Sequence, residues 1–83
     1  MKLLVTGGLG FIGSNFILKL LRESNDFEII NVDAELFGAD HKNLHQIKNS
    51  DRYHFEKGNI SNKKFMEEQI TKCDAVINFA AES

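Results

Sequence analysis

The feature that most constrains the fold is a glycine-rich turn between a short apolar run and a helical segment. The stretch VTGGLGFIGS, residues 5–14, holds four of the six glycines in the chain of 83 residues. The run KLLVT at 2–6 precedes it and predicts a buried strand. Residues 11–24 follow with helical periodicity. The predicted buried helix face comprises Ile12, Phe16, Ile17, Leu20 and Leu21. The order strand, glycine turn, helix predicts the start of an α/β unit.

Three more apolar runs predict strands, at FEIINVD (27–33), YHFEK (53–57) and AVINFA (75–80). An amphipathic helix is expected over 62–73, and a loop with a short helix around 41–49. Strands separated by helix-length segments pair in parallel through right-handed crossovers. The sequence therefore predicts an α/β fold, the N-terminal half of a Rossmann-type doubly wound sheet with strand order 3-2-1-4. Residues 1–83 are interpreted as one partial domain that ends after the fourth strand.

Composition excludes several partners. A net charge of −2 and a pI near 5.9 leave no basic surplus for nucleic acid. Residues 3–18 carry no charge, but their glycines and short length argue against a signal sequence or membrane span. Cys73 is the single cysteine, which excludes an internal disulfide and fits a cytoplasmic protein. His41 and His45 stand four apart without a third ligand, so no metal site is predicted.

The glycine spacing points to a bound pyrophosphate. Gly8, Gly10 and Gly13 satisfy the pattern G-x-G-x-x-G directly after a predicted strand. The first glycines permit a tight turn, Gly10 lets a pyrophosphate approach the backbone, and Gly13 lets the helix lie close to the strand. The N–H groups around Phe11 and Ile12, at the positive end of the helix dipole, form an anion site.

A carboxylate stands where the adenosine ribose of a dinucleotide would lie. Asp33 ends the second predicted strand, twenty residues after Gly13. It can accept hydrogen bonds from both ribose hydroxyls and would repel a 2′-phosphate, so NAD is favoured over NADP. No Gly-Lys-Ser/Thr follows the glycines, which excludes a P-loop.

These motifs carry a family resemblance. TGGLGFIGSNF resembles the cofactor loop of the extended short-chain dehydrogenase/reductases, which act mostly on nucleotide sugars. The segments MKLLVTGG, EIINVD, RYHFEKGNI and INFAAES are similar to those of the dTDP-glucose 4,6-dehydratases within that family. The resemblance covers the whole chain but only about the first quarter of such an enzyme. It implies the NAD-binding segment of a nucleotide-sugar 4,6-dehydratase, and a homo-oligomer.

The resemblance also implies roles for individual residues. The implied pyrophosphate contacts are Gly7, Gly10, Phe11 and Ile12, and the implied ribose contact is Asp33. The adenine contacts are Asn59 and Ile60, the nicotinamide contacts Phe79, Ala80 and Ala81, and the residue near the nucleotide sugar Ser83. Two departures weaken the adenosine contacts. Asn59 replaces the family's aspartate, although its amide oxygen can still accept a hydrogen bond from the adenine amino group. The segment AELFGAD after Asp33 lacks the family's usual lysine and threonine.

No catalytic residue is expected in this chain. Family chemistry needs a tyrosine whose pKa is lowered by a lysine four residues later on a helix, and a nearby acid pair. Tyr53-x-x-x-Lys57 has that spacing, but it falls in a predicted strand, where the two side chains would be ~13 Å apart. We interpret it as a chance match. The chain alone is expected to turn over no nucleotide sugar, and to associate through residues 75–80 or partly unfold.

Two alternatives remain open from the sequence. The chain could be a piece of a nucleotide-sugar epimerase or reductase of the same superfamily. It could also be a free-standing dinucleotide-binding module without chemistry of its own.

Overall fold

The computed structural model describes residues 1–34 and 41–79. Strands and helices alternate along the chain as the periodicities predicted, with four strands, two α-helices and one short 3₁₀ helix in the described ranges. In chain order the elements are β1 Lys2–Thr6, α1 Phe11–Glu23, β2 Glu28–Asp33, the 3₁₀ helix His41–Ile47, β3 Tyr53–Lys57, α2 Lys63–Ile70 and β4 Ala75–Asn78. The three segments expected as helices are all helical, although the one near 41–49 is 3₁₀ rather than α.

The four strands form one parallel sheet in the order β3-β2-β1-β4. The predicted fold class and strand order are therefore confirmed. Thr6 lies beside Val32 on one side and beside Asn78 on the other, and Asp33 lies beside Lys57. Because all strands run the same way, their carboxyl ends meet at one edge of the sheet, which we call the carboxyl edge.

One face of the sheet packs against α1 and the 3₁₀ helix and forms the larger part of the core. Alternate strand residues point to this face, since side chains in a strand have a period of two. The buried members of this core are Leu3, Val5, Leu9, Ile17, Leu21, Ile29, Leu44 and Tyr53. The helix is amphipathic in the expected sense, because Asn15, Lys19, Arg22 and Glu23 are all exposed.

The predicted helix face needs one correction at Ile12. We predicted burial for it, but 65% of its surface is exposed. The first turn of α1 lies at the carboxyl edge, beyond the strand residues that the rest of the helix covers. Gly13 and Ser14 are the buried residues of that turn. A periodic pattern identifies the helix but cannot show where the sheet beneath it stops.

The second face of the sheet is covered by α2. Leu4, Ile30 and Val32 are buried there, with Phe65 and Met66 packed against them. The described residues cover β4 only partly on this face. Val76 lies beside Leu4 on this face, and 46% of its surface is exposed. The strand ends at Asn78 rather than at 80, with residues 80–83 lying outside the described ranges.

Arg52 fastens the end of the sheet opposite to the carboxyl edge. Its guanidinium donates hydrogen bonds to three backbone carbonyls, those of Leu21, Ser24 and Phe27. The carbonyls at a helix C-terminus lack intrahelical partners and carry the negative end of the helix dipole, so a cation there is stabilising. Arg52 thus fixes the end of α1 against the beginning of β2 and β3.

Candidate cofactor-binding site

The candidate site lies at the carboxyl edge, where α1 begins. The turn from β1 to α1, the end of β2, the turn after β3 and the end of β4 all meet there. Ligands of open parallel sheets bind outside the carboxyl ends of the strands, near the point where the strand order reverses. In this sheet that point lies between β1 and β4, because β2 follows β1 on one side and β4 lies on the other.

The turn after β1 uses glycine where the backbone requires it. Gly7 has φ of 74°, a left-handed conformation that side chains disfavour. A Cβ on Gly13 would lie 2.6 Å from the carbonyl oxygen of Gly7, too close for any other residue. The first turn of α1 therefore packs directly against the backbone of the glycine turn. The fold itself therefore requires glycine at both positions, at Gly7 for its backbone conformation and at Gly13 for close packing.

The amide groups of the turn are directed inward, one after another. Gly7 N–H donates to the carbonyl oxygen of Val32 at 2.8 Å, and Gly10 N–H donates to that of Gly7 at 3.2 Å. Between them, Gly8 N–H donates to Asn31 Oδ1 at 2.9 Å and Leu9 N–H donates to an Asp33 carboxylate oxygen at 3.0 Å. Four consecutive backbone donors are thus satisfied within the protein.

The next three amide groups have no such partner. Within the described residues, no acceptor faces the N–H groups of Phe11, Ile12 or Gly13, and the first helical bond of α1 runs from Ser14 N–H to Gly10 at 2.9 Å. Helix N-termini leave such donors free and carry a positive partial charge. The donors stand at the carboxyl edge as a preorganised site for an anion.

Gly10 is open towards the outside. A Cβ at this position would meet only the carbonyl oxygen of Gly7, at 3.5 Å, an ordinary contact. Its backbone angles of −73° and 172° are accessible to any residue. The protein itself therefore does not require glycine here, in contrast to Gly7 and Gly13. The small residue leaves a clear approach to the free amide groups, as the sequence pattern predicted for a pyrophosphate.

Asp33 ends β2 with only 9% of its surface exposed. One oxygen of its carboxylate accepts the hydrogen bond from Leu9 N–H in the glycine turn. The sequence suggested only a ribose contact for this side chain, and the structure adds a second task, anchoring the turn. A buried carboxylate that is hydrogen-bonded to the backbone has a fixed orientation, which suits a residue that must recognise a pair of hydroxyls.

The turn after β3 brings Asn59 and Ile60 to the same edge. Gly58 N–H donates to the backbone oxygen of Asp33 at 3.1 Å, so this turn lies next to the end of β2. The side-chain oxygen of Asn59 accepts from both the N–H and the hydroxyl of Ser61, each at 2.9 Å. The oxygen that we expected to face an adenine amino group is therefore already used. Ile60 exposes 39% of its surface, an apolar surface beside the turn.

The end of β4 lies on the other side of β1. Thr6 donates a hydrogen bond to the side-chain oxygen of Asn78, and Phe79 N–H donates to the carbonyl oxygen of Thr6 at 2.8 Å. The Phe79 ring packs against Phe16 of α1, with ring centres 5.6 Å apart. Phe79 thus lies on the far side of the glycine turn from Asp33. The predicted contacts Ala80, Ala81 and Ser83 lie outside the described residues.

The Tyr53 and Lys57 spacing does not produce a reactive pair. Both residues belong to β3, and the Tyr53 hydroxyl is buried, accepting a hydrogen bond from Asn31 Nδ2 at 3.0 Å. Burial raises the pKa of that hydroxyl, and the Asp33 carboxylate adds to the rise, while the hydrogen bond from Asn31 opposes it. A catalytic tyrosine needs the opposite shift. These observations favour the interpretation of the motif as a chance match.

The described residues contain neither a candidate metal cluster nor a membrane-spanning helix. Over residues 1–34 and 41–79, no group of three or more histidine, cysteine or acidic side chains could hold a metal ion. His45 lies in the 3₁₀ helix, whereas the position of the His41 side chain lies outside what the structure describes. In the same ranges, no helix is both long and apolar enough to cross a bilayer.

Sequence reasoning missed Asn31. It lies in the middle of the apolar run of β2, is completely buried, and contacts both the glycine turn and Tyr53. A polar residue two positions before Asp33 was the available signal, because buried amides are normally hydrogen-bonded to something specific. The sequence could not show what that partner was.

Comparison with known proteins identifies the family of the chain. The family model of GDP-mannose 4,6 dehydratase matches residues 4–83. The chain belongs to this family. It is 41% identical to the dTDP-glucose 4,6-dehydratase of Haemophilus influenzae over 85 residues, covering 100% of this chain and 25% of that protein. The resemblance inferred from the sequence is thereby confirmed.

Solved structures of a dehydratase and of an epimerase match the fold closely. The dTDP-glucose 4,6-dehydratase of Bacillus anthracis, solved in complex with NAD, superposes with a TM-score of 0.91 at 42% identity, over 99% of this chain and 27% of that one. A UDP-glucose 4-epimerase from Thermotoga maritima, solved with UDP-glucose, gives a TM-score of 0.78 at 32% identity, over 100% of this chain and 25% of that one. The chain spans about a quarter of the length of the relatives it matches.

Proposed function

We propose that this chain is the NAD-binding segment of a nucleotide-sugar 4,6-dehydratase. The observation that carries the proposal is the division of the backbone donors in the glycine turn. Residues 7–10 direct their N–H groups inward, and the N–H groups of Phe11, Ile12 and Gly13 are left for a ligand. An uncharged cradle of this kind suits a pyrophosphate, whose negative charge meets the positive end of α1.

The proposed orientation of the dinucleotide follows from the strand order. With the pyrophosphate at the start of α1, the adenosine ribose lies towards Asp33 at the end of β2. Its base then extends towards Asn59 and Ile60 beyond β3, the next strand outward. The nicotinamide half extends in the opposite direction, past Phe79 at the end of β4. On the family resemblance, we also assign Ala80 and Ala81 to the nicotinamide half, and Ser83 to the neighbourhood of the nucleotide sugar.

Asp33 supports NAD rather than NADP as the cofactor. Its carboxylate is fixed by Leu9 N–H at the end of β2. A 2′-phosphate on the ribose would place further negative charge beside this buried carboxylate, and like charges at close range repel strongly where water is excluded. The solved dehydratase of Bacillus anthracis contains NAD, which agrees with this assignment.

The proposed reaction is the conversion of a hexose on a nucleoside diphosphate to the 4-keto-6-deoxy sugar, with loss of water. When bound, the dinucleotide would supply a hydride acceptor for the oxidation at C4 of the sugar and, after water is lost across C5 and C6, the hydride that returns to C6. This chain contributes the binding and orientation of the dinucleotide, and the residues that move protons lie outside residues 1–83. A dehydratase is favoured over an epimerase because the dehydratase structure superposes better, at a TM-score of 0.91 against 0.78. Homo-oligomer formation and a cytoplasmic location remain predictions from sequence.

Cofactor binding is tested by calorimetric titration of the full protein that carries this chain with NAD and with NADP. The expected result is one site per chain, with NAD bound at least tenfold more tightly. No binding of either dinucleotide would contradict the proposal. Equal binding of both would contradict the role of Asp33 and leave the dinucleotide site in place.

Activity is tested by incubating the same protein with dTDP-glucose, UDP-glucose and GDP-mannose in separate reactions. Mass spectrometry detects dehydration, which lowers the mass of the sugar nucleotide by one water, and chromatography of the sugar nucleotides detects epimerisation, which leaves the mass unchanged. A product that has lost water supports the dehydratase. A product of unchanged mass but altered configuration identifies the epimerase, which was the alternative from the sequence.

A further inference from the structure

We infer that Asn31 is a positioning residue for the cofactor, holding the glycine turn so that its free amide groups face the pyrophosphate. The inference rests on the proposed function. Asn31 lies in β2 and is completely buried, with no route to the ligand itself. Asn31 therefore affects cofactor binding indirectly, through its hydrogen bond to the backbone of Gly8 in the turn.

The contact between Asn31 and Gly8 is close and specific. Gly8 N–H donates to Asn31 Oδ1 at 2.9 Å. A Cβ on Gly8 would overlap the amide of Asn31 and the end of the Ile17 side chain. The turn thus lies directly on the Asn31 side chain, and only glycine permits this approach.

The orientation of the Asn31 amide is fixed from both ends. Its oxygen must face Gly8, because a backbone N–H cannot bond to the NH₂ end. That NH₂ end donates to the Tyr53 hydroxyl at 3.0 Å. The Tyr53 hydroxyl is buried beside Asn31, and this burial raises its pKa, so the hydroxyl accepts the bond as a neutral group. Asn31 therefore links the glycine turn to β3, a strand that is distant from the turn in the sequence.

Asn31 affects ligand binding because it determines which backbone N–H groups of the turn are bonded within the protein and which stay free for the ligand. As long as Asn31 accepts from Gly8, the turn closes inward and Gly10 forms the N-cap of α1, with the amides of Phe11 and Ile12 facing outward. Without that acceptor, Gly8 N–H is buried and unsatisfied, and the turn relieves the cost by rotating towards water or towards the anion. The free donors then no longer converge on one point. Asp33 holds the neighbouring Leu9 N–H, so the two side chains act on adjacent amides.

The test compares three ligands on the full protein: NAD, ADP-ribose and adenosine. Asn31→Leu removes the acceptor while keeping the side-chain size, and binding of NAD and ADP-ribose is expected to weaken about tenfold. Adenosine has no pyrophosphate, so its affinity is expected to stay within twofold. A purely structural role for Asn31 would weaken all three ligands together.

Two matched variants complete the series. Asn31→Asp keeps an acceptor for Gly8 N–H and is expected to restore most of the NAD affinity. Tyr53→Phe removes the partner of the Asn31 amide but leaves the bond to Gly8, and is expected to cost less than Asn31→Leu. Wild-type affinity for NAD in Asn31→Leu, or an equal loss for adenosine, would overturn the inference. Failure of the unchanged protein to bind any of the ligands would instead contradict the proposed function.

Amide exchange in the unchanged protein tests the same point if Asn31→Leu does not fold. Selective ¹⁵N labelling of glycine and phenylalanine follows Gly8 and Phe11 by NMR. Gly8 N–H is expected to be protected equally with and without NAD, because Asn31 already holds it. Phe11 N–H is expected to become protected only when NAD is added. Protection of Gly8 N–H that appears only with NAD would show that this amide bonds to the cofactor, and the inference would be wrong.

Discussion

Replacement of Gly10 by valine separates ligand binding from folding more cleanly than any other change in the glycine turn. The structure gives Gly10 backbone angles that valine adopts readily, and a Cβ there meets only one atom, at an ordinary contact distance of 3.5 Å. The cost to folding is that of a poorer residue at the helix N-cap, about 0.5–1 kcal/mol. The same Cβ and its two methyl groups project into the approach to the Phe11 and Ile12 amides.

The expected loss of affinity follows from those two amides. A hydrogen bond to a charged group contributes roughly 1.5–3 kcal/mol, so losing two removes about 3–6 kcal/mol of binding free energy. Each 1.4 kcal/mol is a factor of ten, which makes NAD binding weaker by roughly 100-fold to 10,000-fold. Gly10→Ala has a smaller side chain, so its affinity for NAD is expected to lie between those of the unchanged protein and of Gly10→Val.

The assay is calorimetric titration with NAD, accompanied by thermal melting of each variant. Lys19→Ala serves as the control, because Lys19 is exposed on α1 away from the carboxyl edge. It is expected to bind NAD as the unchanged protein does. A Gly10→Val protein that melts normally and binds NAD within threefold of the unchanged protein would refute the assignment of the pyrophosphate to this turn.

Three further predictions concern single side chains. Asp33→Ala is expected to reduce the preference for NAD over NADP and to weaken NAD binding itself, because Leu9 N–H loses its acceptor. Asp33→Asn keeps an acceptor, so it is expected to reduce the preference with a smaller loss of NAD affinity; equal NAD affinities of the two variants would argue against the anchoring role. Asn59→Asp is expected to tighten NAD binding about fivefold, since one carboxylate oxygen can keep the bonds to Ser61 while the other faces the adenine amino group. Unchanged or weaker binding of NAD would place the adenine base elsewhere. Arg52→Ala is expected to lower the free energy of unfolding by about 2–4 kcal/mol, because three hydrogen bonds to backbone carbonyls are lost. Urea denaturation measures this change, and a decrease below about 1 kcal/mol would contradict the prediction.

The alternation of elements was predictable because it depends on local pattern. The runs KLLVT and YHFEK became β1 and β3 with the predicted bounds, Lys2–Thr6 and Tyr53–Lys57. Parallel pairing and the strand order followed from crossover lengths and handedness, which are general rules of chain connectivity. The glycine pattern identified the turn because few sequences bring a strand, a glycine cluster and a helix together in that order.

Two apolar residues are exposed for the same reason. Ile12 fits the apolar face of α1 by periodicity, yet it is exposed, since the helix begins beyond the strands it covers. Val76 fits a buried strand, yet the described residues leave its face of β4 open. Periodicity reports which side of an element is apolar, but the extent of the neighbouring element decides how much of that side is covered.

The sequence by itself determined the fold class, the strand order, the position of the glycine turn and the acid at the end of β2. These depend on spacing along the chain and on the conformational freedom of glycine. Only the tertiary structure decided which amide groups of the turn are used internally and which remain free. That division depends on Asn31 and Asp33, which are 23 and 24 residues from the amides they accept from. A hydrogen bond between residues so far apart is set by the register of β2 beside β1, and no local pattern records it.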